Sequence, residues 1–340
     1  MVQLMLPIFY IKEVVLMLLS QDEIIKREYL LHAKSYIDIK DKNKELFKRK
    51  SNQFVEFDYN MPQTIFFIFD DSSNIIVGRK TLSQYYLNKQ LESLNCSRIQ
   101  YNMLLGILKG TDYSNRKIII DYFPFSQEEK KFVFDNITKN LNNYNIEYPY
   151  RFKFFDTNLE QTSDDLDWNV DEEMANYLST GESHIRKYTC KNLIEHQINP
   201  KTIYDPACST GEFLKSLKKV YPKATTIGHD LSKSMVDYSR KNVDQSLCCD
   251  AFNSPIKNES IDLILLRFLN GGVVDTENAH KLFDVLIKKV VRDGHILCIG
   301  HTPILIKKED FINSNLNVID SIGYDKESNS IFQYYLAKKM

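Results

Sequence analysis

In the second half of this 340-residue chain, short apolar runs alternate with stretches of helical periodicity. A brief run at 202–204 stops at Asp205, and the residues that follow, DPACSTGEFL (205–214), lead into Phe213, Leu214, Leu217 and Val220 at helical spacing. Residues three and four apart share one helix face. The segment therefore reads as strand, tight loop and helix, with the helix lying on a sheet and its first amide groups pointing at whatever fills the loop. The next strand, 224–228, leads to Asp230, about as far beyond the loop as the ribose-binding acid of a nucleotide-binding α/β fold. Asp250, in CCDAFNSP, precedes the strongly apolar run 261–266, as a loop at the tip of a third strand would. In one sheet, Asp205, Asp230 and Asp250 line up along the carboxyl edge, where open α/β sheets bind ligands.

The first half has a different rhythm. Runs at 64–70 and 74–79 read as a hairpin joined by Asp71, Ser72 and Ser73; 117–123 reads as a strand, 127–142 as a helix and 148–155 as another strand. Residues 1–160 thus read as a small α+β domain serving as a homodimer contact or as a wall of the substrate pocket, not as a second catalytic centre. The first nineteen residues are apolar but broken by Lys12 and Glu13, with no basic start and no small-residue cleavage site, so they read as a buried or partner-facing helix with no membrane role. The acidic stretch SDDLDWNVDEE (163–173), with the single tryptophan Trp168, reads as a solvated linker, and 174–196 as helical. These set 161–200 as linker and lid helix and 201–340 as the ligand-binding domain.

Composition narrows the partners. Lys and Arg total 44 against 45 Asp and Glu, a net charge of −1 without a long basic tract, so charge gives no reason to expect nucleic acid. The six cysteines, Cys96, Cys190, Cys208, Cys248, Cys249 and Cys298, form no CxxC pair and have no companion histidines, a pattern that suits a reducing cytoplasm and gives no zinc site.

With its three acids and the loop between them, the chain resembles the class I S-adenosylmethionine-dependent methyltransferases from about residue 180 to 340. The resemblance implies an α/β fold, a Rossmann-like seven-stranded sheet with the amino-terminal α+β domain as an addition, and S-adenosylmethionine as cofactor without a metal. It gives the loop from Asp205 through Ala207, Cys208, Ser209 and Gly211 to the methionine part, Asp230 to the ribose hydroxyls, and Asp250 with Ala251 and Phe252 to the adenine. Leu231, Met235 and Arg267 join the cofactor-binding set. The expected layout continues with 261–266 as fourth strand, a helix at 279–291, a turn at Arg292, Asp293 and Gly294, a fifth strand at 295–300, and a closing hairpin of 317–322 with 331–338. Where the family loop has glycines, this chain has Ala207 and Ser209 and keeps only Gly211, with less freedom for positive torsions. The same departure argues against a dinucleotide site, which needs the glycines of GxGxxG, and no Gly-Lys-Ser/Thr follows for a phosphate loop.

In related enzymes a segment like YLSTGESHIRKYT (177–189) folds over the cofactor as a lid. That makes Tyr177, His184, Arg186 and Tyr188 site residues, with Arg186 or Tyr188 on the cofactor carboxylate and His184 facing the acceptor. A sulfonium already activates its methyl group, so the protein mainly aligns an acceptor, and a base is needed only when the acceptor must lose a proton. His184 is the first expectation for that base and His301, just past the fifth strand, the second; His229, beside Asp230, is expected to flank the ribose or adenine. The Asn/Asp-Pro-Pro-Tyr/Phe signature of nucleic-acid amino methyltransferases is absent after the fourth strand, where Arg267, Phe268, Leu269, Asn270, Gly271 and Gly272 stand. A small-molecule acceptor methylated on oxygen or nitrogen, as in secondary metabolism, is the leading expectation. A protein or nucleic-acid acceptor, or a regulatory protein that binds the cofactor without turnover, is the alternative.

Overall fold

The structure, a computed structural model, describes residues 50–70, 75–81, 96–162 and 170–340. The apolar first helix, the turn at Asp71, Ser72 and Ser73, and Trp168 with most of the acidic linker lie outside the described residues.

Among the described residues the first half forms a six-stranded antiparallel sheet of β1 (Asn52–Phe57), β2 (Ile65–Asp70), β3 (Ile75–Arg79), β4 (Leu104–Ser114), β5 (Lys117–Pro124) and β6 (Tyr144–Glu147), in the order β1-β5-β4-β3-β2-β6. Asn115 and Arg116, both at positive φ, make the tight β4–β5 connection with the torsions that two-residue hairpins favour. Helix α1 (Gln127–Lys139), opened by the Ser126/Glu129 capping box, buries Phe134 and Ile137 against the sheet. Strands β1 and β4 had no expectation from sequence, and the strand expected at 148–155 is displaced to β6. Tyr148 instead fills the core, so the apolar content of that stretch serves packing and not a ladder.

The second half opens with two helices, α2 (Glu172–Gly181) and α3 (Ser183–Glu195), where one lid helix was expected; the break falls at Glu182. The seven-stranded sheet follows: β7 (Thr202–Asp205), β8 (Thr225–Asp230), β9 (Gln245–Cys248), β10 (Ile261–Leu266), β11 (Val290–Cys298), β12 (Leu316–Asp325) and β13 (Ser330–Lys339). Its order is β12-β13-β11-β10-β7-β8-β9, parallel except for β13, which is antiparallel to both neighbours. Helices α4 (Glu212–Val220), α5 (Lys233–Ser239), α6 (Thr276–Leu286) and α7 (Lys308–Asn313) complete it. Both faces of β10 are covered, which is why it reads as a continuous apolar run. Ile264 and Leu266 pack with Leu282, Phe283 and Leu286 of α6, while Leu263 and Leu265 pack with Phe213, Leu214 and Leu217 of α4.

The turn expected at Arg292, Asp293 and Gly294 lies inside β11. Asp293 takes φ +64° and the register jumps from Ile261↔Val290 to Leu263↔His295, so the turn chemistry makes a bulge where a strand break was expected. The expected helix 279–291 accordingly ends at Leu286. The closing hairpin joins the halves: Ile322 and Ile331 belong to the amino-terminal core, and Ile331 exchanges backbone bonds of 2.7 and 2.9 Å with Ile99. Tyr335 donates to Asn145 Oδ1 at 2.8 Å, and Gln333 Nε2 to the Ile146 carbonyl at 2.9 Å. Among the described residues no helix is long and apolar enough to cross a membrane.

Candidate active site

The β7 loop is built around its own acid. Asp205 is 0% exposed, with Oδ1 accepting from the Ala207 amide at 3.1 Å and Oδ2 from Arg267 Nε at 2.7 Å. Ser209 and Gly211 both adopt left-handed torsions, φ +53° and +77°, so a serine here takes up the conformation for which a glycine would be expected. The Cys208 side chain turns into the core, where a Cβ on Gly228 would stand 2.8 Å from its Sγ. Cys208 therefore shapes the loop by packing on β8 and meets a ligand only through its backbone; burial pushes its thiol up.

Asp230 ends β8 and ties two loops together. Its Oδ2 accepts from the Ser209 amide at 2.8 Å and its Oδ1 from the Ser232 amide at 2.9 Å. Burial raises its pKa, and these amides oppose the rise. Asp250 caps the turn Ala251–Asn253 by accepting from the Phe252 amide at 2.9 Å. Each carboxylate oxygen keeps a second lone pair for a hydroxyl or amino donor. Beside these acids, Leu231 (52% exposed) and Phe252 (38% exposed) offer apolar surface, and Met235 lies beneath, 3.5 Å from Ser209 Oγ. Carboxylates flanked by exposed apolar side chains fit an adenosine: hydroxyl and amino donors to the acids, a flat ring to Leu231 and Phe252.

Arg267, at the tip of β10, sits under this loop. It donates to Asp205 and Glu182, and its Nη2 reaches the Ala207 and Cys208 carbonyls at 3.3 and 3.2 Å. Burial disfavours its charge, but the two carboxylates more than offset that and push its pKa up. The sequence placed Arg267 with the cofactor; the structure engages its guanidinium with the loop that would hold it.

The segment expected to form the lid crosses the carboxyl edge. At one end the Val170 amide donates to Ser234 Oγ of α5 at 2.9 Å; at the other, Gly181 lies against the His301 ring. Tyr177 is exposed on α2. Arg186 reaches back from α3 to the Ser179 carbonyl and hydroxyl, and burial lowers its pKa. Tyr188, expected on the cofactor carboxylate, is not brought to the loop. Its ring stands edge-on to Phe332 and Tyr334 at 5.6 and 4.8 Å between centroids, with its hydroxyl 3.5 Å from the Ile322 carbonyl, because α3 turns that face onto the hairpin.

The histidines separate into two kinds. His229, expected to flank the ribose or adenine, has a ring that packs beside Tyr204, within 3.1 Å of that hydroxyl and 3.3 Å of Cys249 Sγ, and burial pulls its pKa down to about 4. His184 and His301, far apart in sequence, are brought together by the fold of α3 over the sheet. His184 Nδ1 lies 2.5 Å from the Arg98 guanidinium, and its pKa is held well below the usual range by burial first and then by Arg98 and His301, with the Gly181 carbonyl opposing. His184 Nε2, His301 Nδ1 and Asn270 Oδ1 are buried and have no hydrogen-bond partner within the described protein. Glu182, Arg98 and Asn270 were missed in the sequence. Only Glu182 left a signal, as the one acid in the lid motif; Arg98 reaches the site through the long-range contact of its segment with the β11 turn, where Ser97 N bonds to the His301 carbonyl at 2.7 Å.

Comparison with known proteins bears on this edge of the sheet. A family model described as a methyltransferase domain matches residues 204–298, the span carrying all three acids. Isonocardicin synthase from Nocardia uniformis subsp. tsuyamanensis is 29% identical over 282 residues, covering 82% of this chain and 92% of that one. Among solved structures, the plantazolicin methyltransferase BpumL in complex with a monoazolic desmethylPZN analog and SAH aligns over 49% of this chain and 89% of its own, with 16% identity and a TM-score of 0.39. A S-adenosylmethionine-dependent methyltransferase from Clostridium acetobutylicum aligns over 49% of this chain and 98% of its own, also with 16% identity and a TM-score of 0.39. The family match falls on the strands that present the loop and its acids, so the carboxy-terminal region carries a methyltransferase domain, and its cofactor is S-adenosylmethionine.

Proposed function

We propose that the acceptor is a small molecule carrying a hydroxyl or amine, bound between the lid, the β11 turn and the amino-terminal domain. The observation that carries this reading is the buried polar atoms without partners among the described residues, His184 Nε2 on α3, Asn270 Oδ1 beyond β10 and His301 Nδ1 beyond β11. Buried polar groups are normally bonded, and those that are not call for a reason; buried atoms of this kind suit a small polar acceptor better than a long polymer. The similarity to a synthase named for isonocardicin supports a small-molecule acceptor of secondary metabolism.

When bound, the cofactor supplies a methyl group already activated by its sulfonium. The protein's part is alignment and proton handling. An arginine only donates, so His184 Nδ1 accepts from Arg98 and the neutral ring carries its proton on Nε2. His184 then acts as a donor that orients the acceptor, and His301 Nδ1, without a partner, is the atom that receives the acceptor's proton. This reverses the order of the two histidines expected from sequence. Arg98 and Ser97 bring the amino-terminal domain to this wall, a role that needs no second chemical centre.

Incubation of the protein with S-adenosylmethionine and fractionated metabolite extracts, followed by mass spectrometry, tests the reading. The expected result is a small molecule one methyl heavier, with matching release of S-adenosylhomocysteine. Incorporation of methyl only into protein or nucleic acid would overturn the acceptor class. A sulfonium activates all three of its carbons, so a product carrying another part of the cofactor, without S-adenosylhomocysteine, would overturn methyl transfer.

A further inference from the structure

We infer that Glu182, at the break between α2 and α3, is the carboxylate that binds the α-ammonium group of the cofactor's amino-acid end. The inference rests on the cofactor assignment and concerns which acid performs this task. Asp205 is closed to a ligand: it is 0% exposed, one oxygen is held by the Ala207 amide and the other by Arg267 Nε. An incoming ammonium would have to break a buried ion pair, and leaving one partner uncompensated is strongly unfavourable.

Glu182 is held by the same guanidinium but is 22% exposed, against 6% for Arg267. Its Oε2 is fixed by Arg267 Nη1. Arg267 Nη2 in turn reaches the carbonyls of Ala207 and Cys208, so the guanidinium sets Glu182 directly beside the loop that wraps the amino-acid end. Arg186 lies near enough to interact with Glu182, but directs its guanidinium at Ser179 in α2. The helix break makes this possible. Glu182 takes φ −94° and ψ 2°, serving as the last cap of α2 and the first of α3, and at that corner its side chain meets the sheet edge. Ammonium binding would thus be coupled to the position of the lid, because the ligand is held by a residue of the lid itself.

Calorimetric titration of the full chain and its Glu182→Gln variant with three ligands tests this. S-Adenosylhomocysteine carries both the ammonium and the carboxylate, decarboxylated S-adenosylmethionine carries the ammonium alone, and 5′-methylthioadenosine carries neither. The variant, nearly isosteric and still able to accept from Arg267, is expected to bind the first two about 10- to 100-fold more weakly, the range for loss of a charge-assisted bond, and methylthioadenosine as the unaltered protein does. Equal weakening of all three would make Glu182 a structural support, loss for S-adenosylhomocysteine alone would place it on the carboxylate, and no loss would remove it from the site; each overturns the inference. If the unaltered protein binds none of the three, the cofactor assignment itself falls and this inference with it.

Discussion

The two ends of one sheet edge treat their polar groups in opposite ways. At the tips of β7, β8 and β9, Asp205, Asp230 and Asp250 each accept from amides of their own or neighbouring loops, so the cofactor end is held in shape by the protein alone. Beyond β10 and β11, Asn270 and His301, with His184 of α3 beside them, each keep one buried atom without a partner among the described residues. A satisfied network rigidifies, whereas an unsatisfied one is costly until a partner arrives. The end expected to hold the cofactor is therefore built in advance, and the proposed acceptor end is one that a bound partner would complete.

The comparison breaks most sharply at His301. Once an acceptor is in hand, His301→Ala should reduce turnover about 10²- to 10⁴-fold, the range for general base catalysis, while leaving S-adenosylhomocysteine affinity and the melting temperature nearly unchanged; single-turnover rates beside a titration measure this. Normal turnover would mean that the acceptor loses no proton in the slow step. Asp230→Ala should behave in the opposite way. It should weaken cofactor binding by about 1 to 3 kcal/mol and also lower the stability of the free protein by a similar amount, because the Ser209 and Ser232 amides lose their acceptor. Melting curves with and without ligand separate the two effects, and an unaltered free protein would show that the loops hold without their acid.

Acid gives the smallest and most general test. His184 and His229 are neutral in the fold, with pKa values below the 6.5 of the unfolded chain, about 4 for His229. The unfolded state therefore binds protons first as pH falls. Stability is full above about 6.5 and declines below it, by up to about 1.4 kcal/mol per pH unit for each ring. Chemical denaturation at pH 7 and pH 5 should show the loss, with a shallower pH dependence in His184→Gln. Equal slopes would mean that His184 is charged in the fold.

What the sequence disclosed depended on whether the signal was local. The loop from Asp205 to Gly211 and the acids at Asp230 and Asp250 were legible because strand, loop and helix follow one another within a few residues. β10 stood out because a strand buried on both faces is apolar throughout. The amino-terminal strands β1 and β4 were missed because polar residues such as Gln53, Glu56, Lys109 and Asp112 interrupt them, and β1 in addition takes its partner, β5, from far along the sequence. Tyr188 was assigned to the cofactor because it lies in the segment that resembles a lid over it. Only the position of the hairpin, more than a hundred residues away, shows that this face of α3 is core. The break at Glu182 was hidden for a related reason, since a Gly-Glu-Ser sequence within a helical pattern does not by itself say whether the helix bends.

The closing hairpin gives the molecule a property that domain boundaries conceal. Phe332, Tyr334 and Leu336 pack into the same core as α3 and α4, while Ile331, one residue earlier, fills the core of the amino-terminal sheet. A single strand is thus built into two interiors, and neither interior closes until that strand is in place. During translation the amino-terminal sheet would wait, its edge at β6 uncovered, for a segment made nearly two hundred residues later. Recombination could not exchange either half as a cassette without rebuilding that strand, so the two parts would be inherited together.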